Sequence, residues 1–256
     1  MDKKQVWFVG AGPGAEDLIT VRGARLISEA DVIIYAGSLV NPGLLGYAKE
    51  GAEIHNSAYM TLEEVLGVMK SAAADGRMVC RLHTGDPSLY GAVREQMDAL
   101  DELGISYGSC PGVSAAFGAA AALDLEYTLP GLSQSLIITR MEGRTPVPEK
   151  ERIESWAAHG STMAIYLSTG MLEELTERLI AGGYSKDTPA AIVYKATWPD
   201  EEAYYCTVSE LAPVAKEHGI TKTALILVGD VIGKSGYGKS KLYDKTFSTE
   251  FRKAKE

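Results

Sequence analysis

The chain of 256 residues is 46% hydrophobic and 23% charged, the composition of an ordinary globular protein, which excludes collagen-like, low-complexity and disordered classes. Its 25 basic and 34 acidic residues leave a net charge of −9, which argues against a sequence-independent grip on nucleic-acid phosphates. The 3 cysteines and 4 histidines are scattered and form no zinc set, and no apolar run reaches the roughly 20 residues that a bilayer requires, so the chain is expected to be cytoplasmic, reduced, metal-free and off the membrane.

Strand-like and helix-like stretches alternate from the start. Residues 5–9 form a compact β-type run, followed by a glycine loop and a helical stretch over 17–30. A buried strand is expected at 31–36, where the sequence DVIIYA is rich in β-branched residues. A helix follows at 61–74, with Thr61 and Glu64 at the spacing of a capping box. The series continues with a strand at 77–82, a helix at 89–103, a strand at 105–109 and an Ala-rich helix at 113–123. Such alternation predicts βαβ units and a mostly parallel sheet. The rhythm changes near residues 125–134, where a domain boundary is expected. Strands at 135–140, 163–168, 190–196, 204–208 and 224–228 are then separated by two or three helices. The short Trp198-Pro199-Asp200 turn before 204–208 suggests an antiparallel pair and a mixed sheet. The division is therefore 1–127, 128–233 and a tail of 234–256.

The loop Gly10-Ala11-Gly12-Pro13-Gly14-Ala15 satisfies the pattern that receives a pyrophosphate at a helix start. Two features oppose a dinucleotide. Pro13 lacks an N–H donor, and the end of the second strand reads Tyr35-Ala36-Gly37-Ser38, with no acid for a ribose. A second loop, His83-Thr84-Gly85-Asp86-Pro87-Ser88-Leu89-Tyr90-Gly91, follows the strand at 77–82 and offers Asp86 as a cation or hydroxyl ligand. Alone, this loop reads as a helix entry capped by Asp86. A third, Cys110-Pro111-Gly112-Val113-Ser114-Ala115-Ala116, brings small residues that let a flat ligand approach the backbone. Three such loops at three strand ends favour a ligand cleft over three coincident turns.

The strings GAGPGA, ADVIIYAG, TGDPSLYG and PGVSAA, in this order and spacing, resemble the tetrapyrrole methylases, which use S-adenosylmethionine. The likeness runs from about Gln5 to Gly233. Within the family, Tyr35-Ala36-Gly37-Ser38-Leu39-Val40 and the ending Ser240-Lys241-Leu242-Tyr243-Asp244 most resemble the branch that methylates precorrin-4 at C-11 in cobalamin biosynthesis. The resemblance implies two α/β domains, a mostly parallel five-stranded sheet and a mixed one, with the cofactor in the cleft between them, and a homodimer. Carried over, Pro13, Thr84, Gly85, Asp86, Leu89, Ser114 and Ala115 would contact the cofactor, with Leu167, Ala196 and Ala224 around its adenine. Its product would be S-adenosylhomocysteine. Gly12, Tyr35, Ser38 and Arg140 are the candidates for the tetrapyrrole, Arg140 because an arginine suits a carboxylate. Met60, Met141 and Trp198 are candidates for apolar cover of the ring. For a proton acceptor only Tyr35, His83 and Tyr90 suggest themselves, each more readily structural.

Ala36 and His55-Asn56-Ser57 stand where the uroporphyrinogen methylases of the family carry an acid and a lysine, which disfavours that substrate. The rivals from other classes are a nicotinamide-dependent oxidoreductase, which shares the first loop, and a binding protein that kept the fold without turnover.

Overall fold

The computed structural model describes residues 4–254; the outermost ends of the expected first domain and tail lie outside the described residues. Strand β1 (Val6–Gly10) is buried along nearly its whole length, as an inner strand of a helix-covered parallel sheet must be. It lies between β4 (Val79–His83) and β5 (Tyr107–Cys110); β2 (Val32–Tyr35) pairs β4, and β3 (Glu53–Asn56) closes the far edge. All four pairings are parallel. Side chains alternate between two cores. Val9, Ile33, Cys80 and Leu82 pack with Leu26 and Ile27 of α1 (Val21–Glu29). Val6, Phe8, Ile34 and Val79 pack with Val65 and Met69 of α2 (Leu62–Ala74) and Leu100 of α3 (Arg94–Glu102).

Three local outcomes differ from the expectation. Helix α1 begins at Val21 rather than 17, because Glu16–Leu18 forms a separate 3-10 turn and Thr20 caps the helix, its Oγ1 accepting the Gly23 N–H at 3.0 Å. Helix α3 begins at Arg94 rather than 89, because Tyr90 (φ 56°) and Ala92 (φ 48°) stand in the left-handed region. The strand β3 was not anticipated as a segment; its Glu-Ile-His-Asn sequence is polar and half exposed, as an edge permits. The capping box on α2 forms as expected, with Glu64 N–H donating to Thr61 and Thr61 N–H donating to Glu64, a device worth about 1 kcal/mol.

The second sheet runs β6 (Leu136–Arg140), β7 (Thr162–Tyr166), β10 (Ala224–Val228), β8 (Pro189–Tyr194), β9 (Glu202–Thr207). Only β6 and β7 are parallel; the other pairs are antiparallel, so the sheet is mixed, and β8 with β9 is the antiparallel pair the short turn suggests. Its core joins Ile165, Ile192, Ile226 and Val228 to α5 (Ile153–Ala157), α6 (Leu172–Ala181) and α7 (Leu211–Glu217). The division between the two compact units falls inside α4 (Ala115–Ala122). One unit takes the chain up to Ala119 together with Lys195–Glu201; the other takes Ala120–Tyr194 and the chain from Glu202 onward.

Candidate active site

Because β1 sits between β4 and β5, the three loops that leave these strands meet. Ala11 N–H donates to the His83 carbonyl at 2.8 Å, Gly12 N–H to Gly85 at 3.3 Å, and Gly85 N–H back to Gly12 at 2.8 Å. The third loop comes closer still. A Cβ on Gly10 would stand 2.5 Å from Gly112 Cα, and one on Gly112 would stand 2.2 Å from the Gly85 carbonyl oxygen. Glycine is required at both positions by backbone proximity. Asp86 then ties the second loop to the third, its Oδ2 accepting the Gly112 N–H at 2.9 Å while its Oδ1 accepts the Ser88 N–H at 2.8 Å and the Ser88 hydroxyl. Burial pushes the Asp86 carboxyl up, but the bonds from Ser88 and Gly112 outweigh it and hold the group below its ordinary value. Asp86 is thus a fixed carboxylate at neutral pH.

The segment Lys195–Glu201 grips the glycine loop. Ala15 N–H donates to Thr197 Oγ1 at 3.0 Å, and the Trp198 indole N–H donates to the Pro13 carbonyl at 3.1 Å. A Cβ on Gly14 would lie 2.2 Å from the indole ring, and Gly118 of α4 packs on Pro13 and Thr197. Ala196 is buried in this segment, beside the strained Lys195 (φ 45°) and Thr197 (φ 69°). The N–H groups of Ala11, Gly12 and Ala15 are therefore spent inside the protein, and Pro13 has none. A loop so committed, with an ionised Asp86 nearby, is a poor cradle for a pyrophosphate. It fits a ligand with cationic and hydroxyl groups better.

Thr84, Leu89 and Ala115 are half-buried on these loops, and Ser114 is buried at the start of α4, with its carbonyl accepting the Phe117 and Gly118 N–H groups. Tyr35 ends β2, half-buried, with its carbonyl accepting the Ser57 hydroxyl at 3.2 Å; Asn56 Oδ1 accepts the Gly37 N–H, and Ser38 is exposed just beyond. In the second unit Leu167 is 66% exposed at φ 54°, at the end of β7, an unusual pose for an apolar residue. Thr169 Oγ1 donates to the Ala224 carbonyl at 3.1 Å, which brings the loop after β7 to the start of β10. Arg140 donates to the carbonyls of Met141, Thr145 and Pro146, each at 3.0 Å, and so folds the loop after β6. Met141 is buried in the second core, Met60 packs against the first, and Trp198 holds Pro13. A recess of about 800 Å³ in the second unit, lined by residues that include Glu126, Leu129, Tyr237 and Tyr243, contains none of the candidate residues.

His83 is 5% exposed, beside Phe8, and its Nε2 has no hydrogen-bond partner. Burial, and secondly the charge of Arg81, push its imidazole down to about 3. A ring that protonates only there is a weak acceptor at neutral pH. Because the folded state takes up a proton less readily than an unfolded histidine near 6.5, His83 favours folding above that value and the benefit falls with acid. Between pH 7 and 5.5 this amounts to about 1 kcal/mol. Chemical unfolding of His83→Phe at both pH values should lack that decline; an unchanged decline would show that other groups cause it.

The contacts of Asn56, Ser57 and Thr197 depend on strand register and on chain segments far apart and leave no signal in the sequence. Ser88, by contrast, lies two residues from Asp86, and its bond to that carboxylate is a local turn the sequence could have shown. The family model described as Tetrapyrrole (Corrin/Porphyrin) Methylases matches residues 5–212. The chain is 53% identical to the cobalt-precorrin-4 C(11)-methyltransferase of Methanocaldococcus jannaschii, over 99% of this chain and 98% of that protein. A crystal structure of a cobalt precorrin-4 methyltransferase from cobalamin biosynthesis superimposes with a TM-score of 0.86 at 46% identity, covering 89% of this chain and 95% of that one. The uroporphyrin-III C-methyltransferase of Thermus thermophilus, solved with S-adenosylhomocysteine, gives 0.74 at 25% identity, covering 90% of this chain and all of that one (100%).

Proposed function

The chain belongs to the tetrapyrrole (corrin/porphyrin) methylases, and from that premise we propose that it methylates precorrin-4 at C-11 in cobalamin biosynthesis, with S-adenosylmethionine as donor and the cobalt-bearing macrocycle as acceptor. The observation that carries this reading is the 53% identity, nearly end to end, with a protein named for that reaction. The commitment of the glycine-loop N–H groups supports it against the nicotinamide reading.

Bound to the enzyme, S-adenosylmethionine supplies an activated methyl on a positively charged sulfur. The residues of this chain then have alignment as their main task, and proximity with orientation can supply about 7–11 kcal/mol of a barrier. Asp86, with Thr84 and Gly85, fits the cationic and hydroxyl-bearing end of that molecule; its lowered pKa keeps it charged at working pH. Ser114 and Ala115 present a low surface beside Gly85, whose Cβ position is 3.6 Å from Ser114 Cα and Ala115 N. Pro13 and Leu89 are proposed to flank the same end of the cofactor, and Ala196, Leu167 and Ala224 are the proposed apolar neighbours of the adenine. Gly12, Tyr35, Ser38 and Arg140 are proposed to face the macrocycle. The reading includes a homodimer acting in the cytoplasm, without nucleic-acid or membrane partners; no helix among the described residues is long and apolar enough to cross a membrane.

Isothermal titration checks the donor. S-adenosylhomocysteine should bind in the micromolar range, about −8 kcal/mol, with no heat from NAD⁺ or NADP⁺. A clear NAD⁺ isotherm with silence from S-adenosylhomocysteine would instead establish the oxidoreductase.

A further inference from the structure

Strand β4 places Val79, Arg81 and His83 on the face that packs against Phe8, Ile34 and Met69. Arg81 is 7% exposed there, in a core where an aliphatic side chain would pack without cost. No acid pairs with it among the described residues. Its Nε donates to Gln96 Oε1 at 3.3 Å, and its Nη1 reaches the carbonyls of Ile34 and Leu82, both at 3.4 Å. Burial lowers the guanidinium to about 10, so it stays charged at neutral pH. Such a buried cation is expensive unless its bonds serve something else.

Gln96 shows what they serve. It is buried on α3, fixed by Arg81 through its oxygen, and its amide nitrogen donates to the Ala92 carbonyl at 2.9 Å. Ala92 and Tyr90 both have positive φ, and Gly91 between them is pressed on Pro87, where a Cβ would stand 2.2 Å from the carbonyl oxygen. Non-glycine residues in this region cost about 1–3 kcal/mol each and persist only where their surroundings fix them. The other half of the same loop has its own anchor, because Asp86 is held by Gly112 and Ser88.

We propose that Arg81 and Gln96 are positioning residues that hold the strained turn 90–92, and with it Tyr90, in the form that methyl transfer requires, independently of the half of the loop from Asp86 to Leu89. This rests on the methyltransferase reading above. Neither residue is proposed to touch a reactant. Arg81 acts through Gln96, and Gln96 acts through the Ala92 backbone.

Gln96→Glu separates the two halves. A carboxylate at 96 still accepts from Arg81 but has no hydrogen to give to Ala92. In the full-length enzyme, kcat should fall about tenfold or more, whereas S-adenosylhomocysteine affinity should stay within about twofold and the melting temperature should not drop. Chymotrypsin should cut after Tyr90, which is 43% exposed, faster than in the parent enzyme. Arg81→Met should give the same kinetic split and the same faster cleavage. The proposal is overturned if Gln96→Glu turns over like the parent, if its affinity and melting temperature fall together with kcat, or if cleavage at Tyr90 is unchanged. The cleavage measurement needs no turnover: should the parent enzyme transfer no methyl group, the function reading fails on that result, and the clamp is still judged by proteolysis.

Discussion

Asp86→Ala is expected to weaken S-adenosylhomocysteine binding by about 100-fold, or about 3 kcal/mol. The carboxylate accepts three hydrogen bonds, from the Gly112 N–H, the Ser88 N–H and the Ser88 hydroxyl, and so joins the loop after β4 to the loop after β5. Bonds to a charged group contribute about 1.5–3 kcal/mol each, and their loss strands the backbone donors they satisfied. The variant also loses the negative charge proposed to meet a cationic ligand. Asp86→Asn, which keeps an acceptor oxygen but no charge, should fall between the two. The pH dependence has a fixed sign. The folded group lies below its ordinary value, so its contribution is complete above about pH 4 and is lost as acid takes the solution down through the lowered value. Titration calorimetry of the three proteins checks this; an alanine variant that binds within about threefold of the parent would remove Asp86 from the site.

Gly112→Ala should destabilise the first unit by about 3 kcal/mol or more. The added Cβ would meet the Gly85 oxygen at 2.2 Å and Gly10 Cα at 2.7 Å, all of it backbone, with no flexible side chain to swing away. The three loops must part to admit it. For a chain of this size, calorimetry should show a fall in melting temperature of about 6–12 °C, together with loss of S-adenosylhomocysteine binding. Gly67→Ala on the solvent side of α2, where nothing lies within 4 Å of the new Cβ, serves as the control and should be neutral or slightly stabilising. A Gly112→Ala protein that melts like the parent would contradict the close approach of the loops.

The parallel first sheet and the mixed second one were legible because continuous β-branched runs such as that of β2 and the Thr61–Glu64 spacing are local signals that tertiary packing then reinforces. What stayed hidden was non-local or contrary to local pattern. The edge strand β3 has no apolar alternation and gains its identity only by pairing β2, with Tyr35 opposite Asn56. Leu89 and Val93 carry helix-like spacing, yet the left-handed backbone at Tyr90 and Ala92 delays α3 until Arg94. Of the site, the three small-residue loops could be read as loops, whereas Thr197 and Trp198 reach the glycine loop from more than 180 positions away in the chain. Arg81 was invisible for a different reason. Its charge lies inside a strand otherwise fit for a core, and only the placement of Gln96 opposite it gives that charge a use.

The most direct test supplies the purified protein with cobalt-precorrin-4 and S-adenosylmethionine carrying a ¹³C-labelled methyl, and locates the label in the product by nuclear magnetic resonance, with metal-free precorrin-4 in parallel. The reading predicts one labelled methyl per macrocycle at C-11, with the cobalt-bearing substrate turned over faster and S-adenosylhomocysteine released in equal amount. Label at another carbon, or S-adenosylmethionine left unconsumed with both macrocycles, would contradict it.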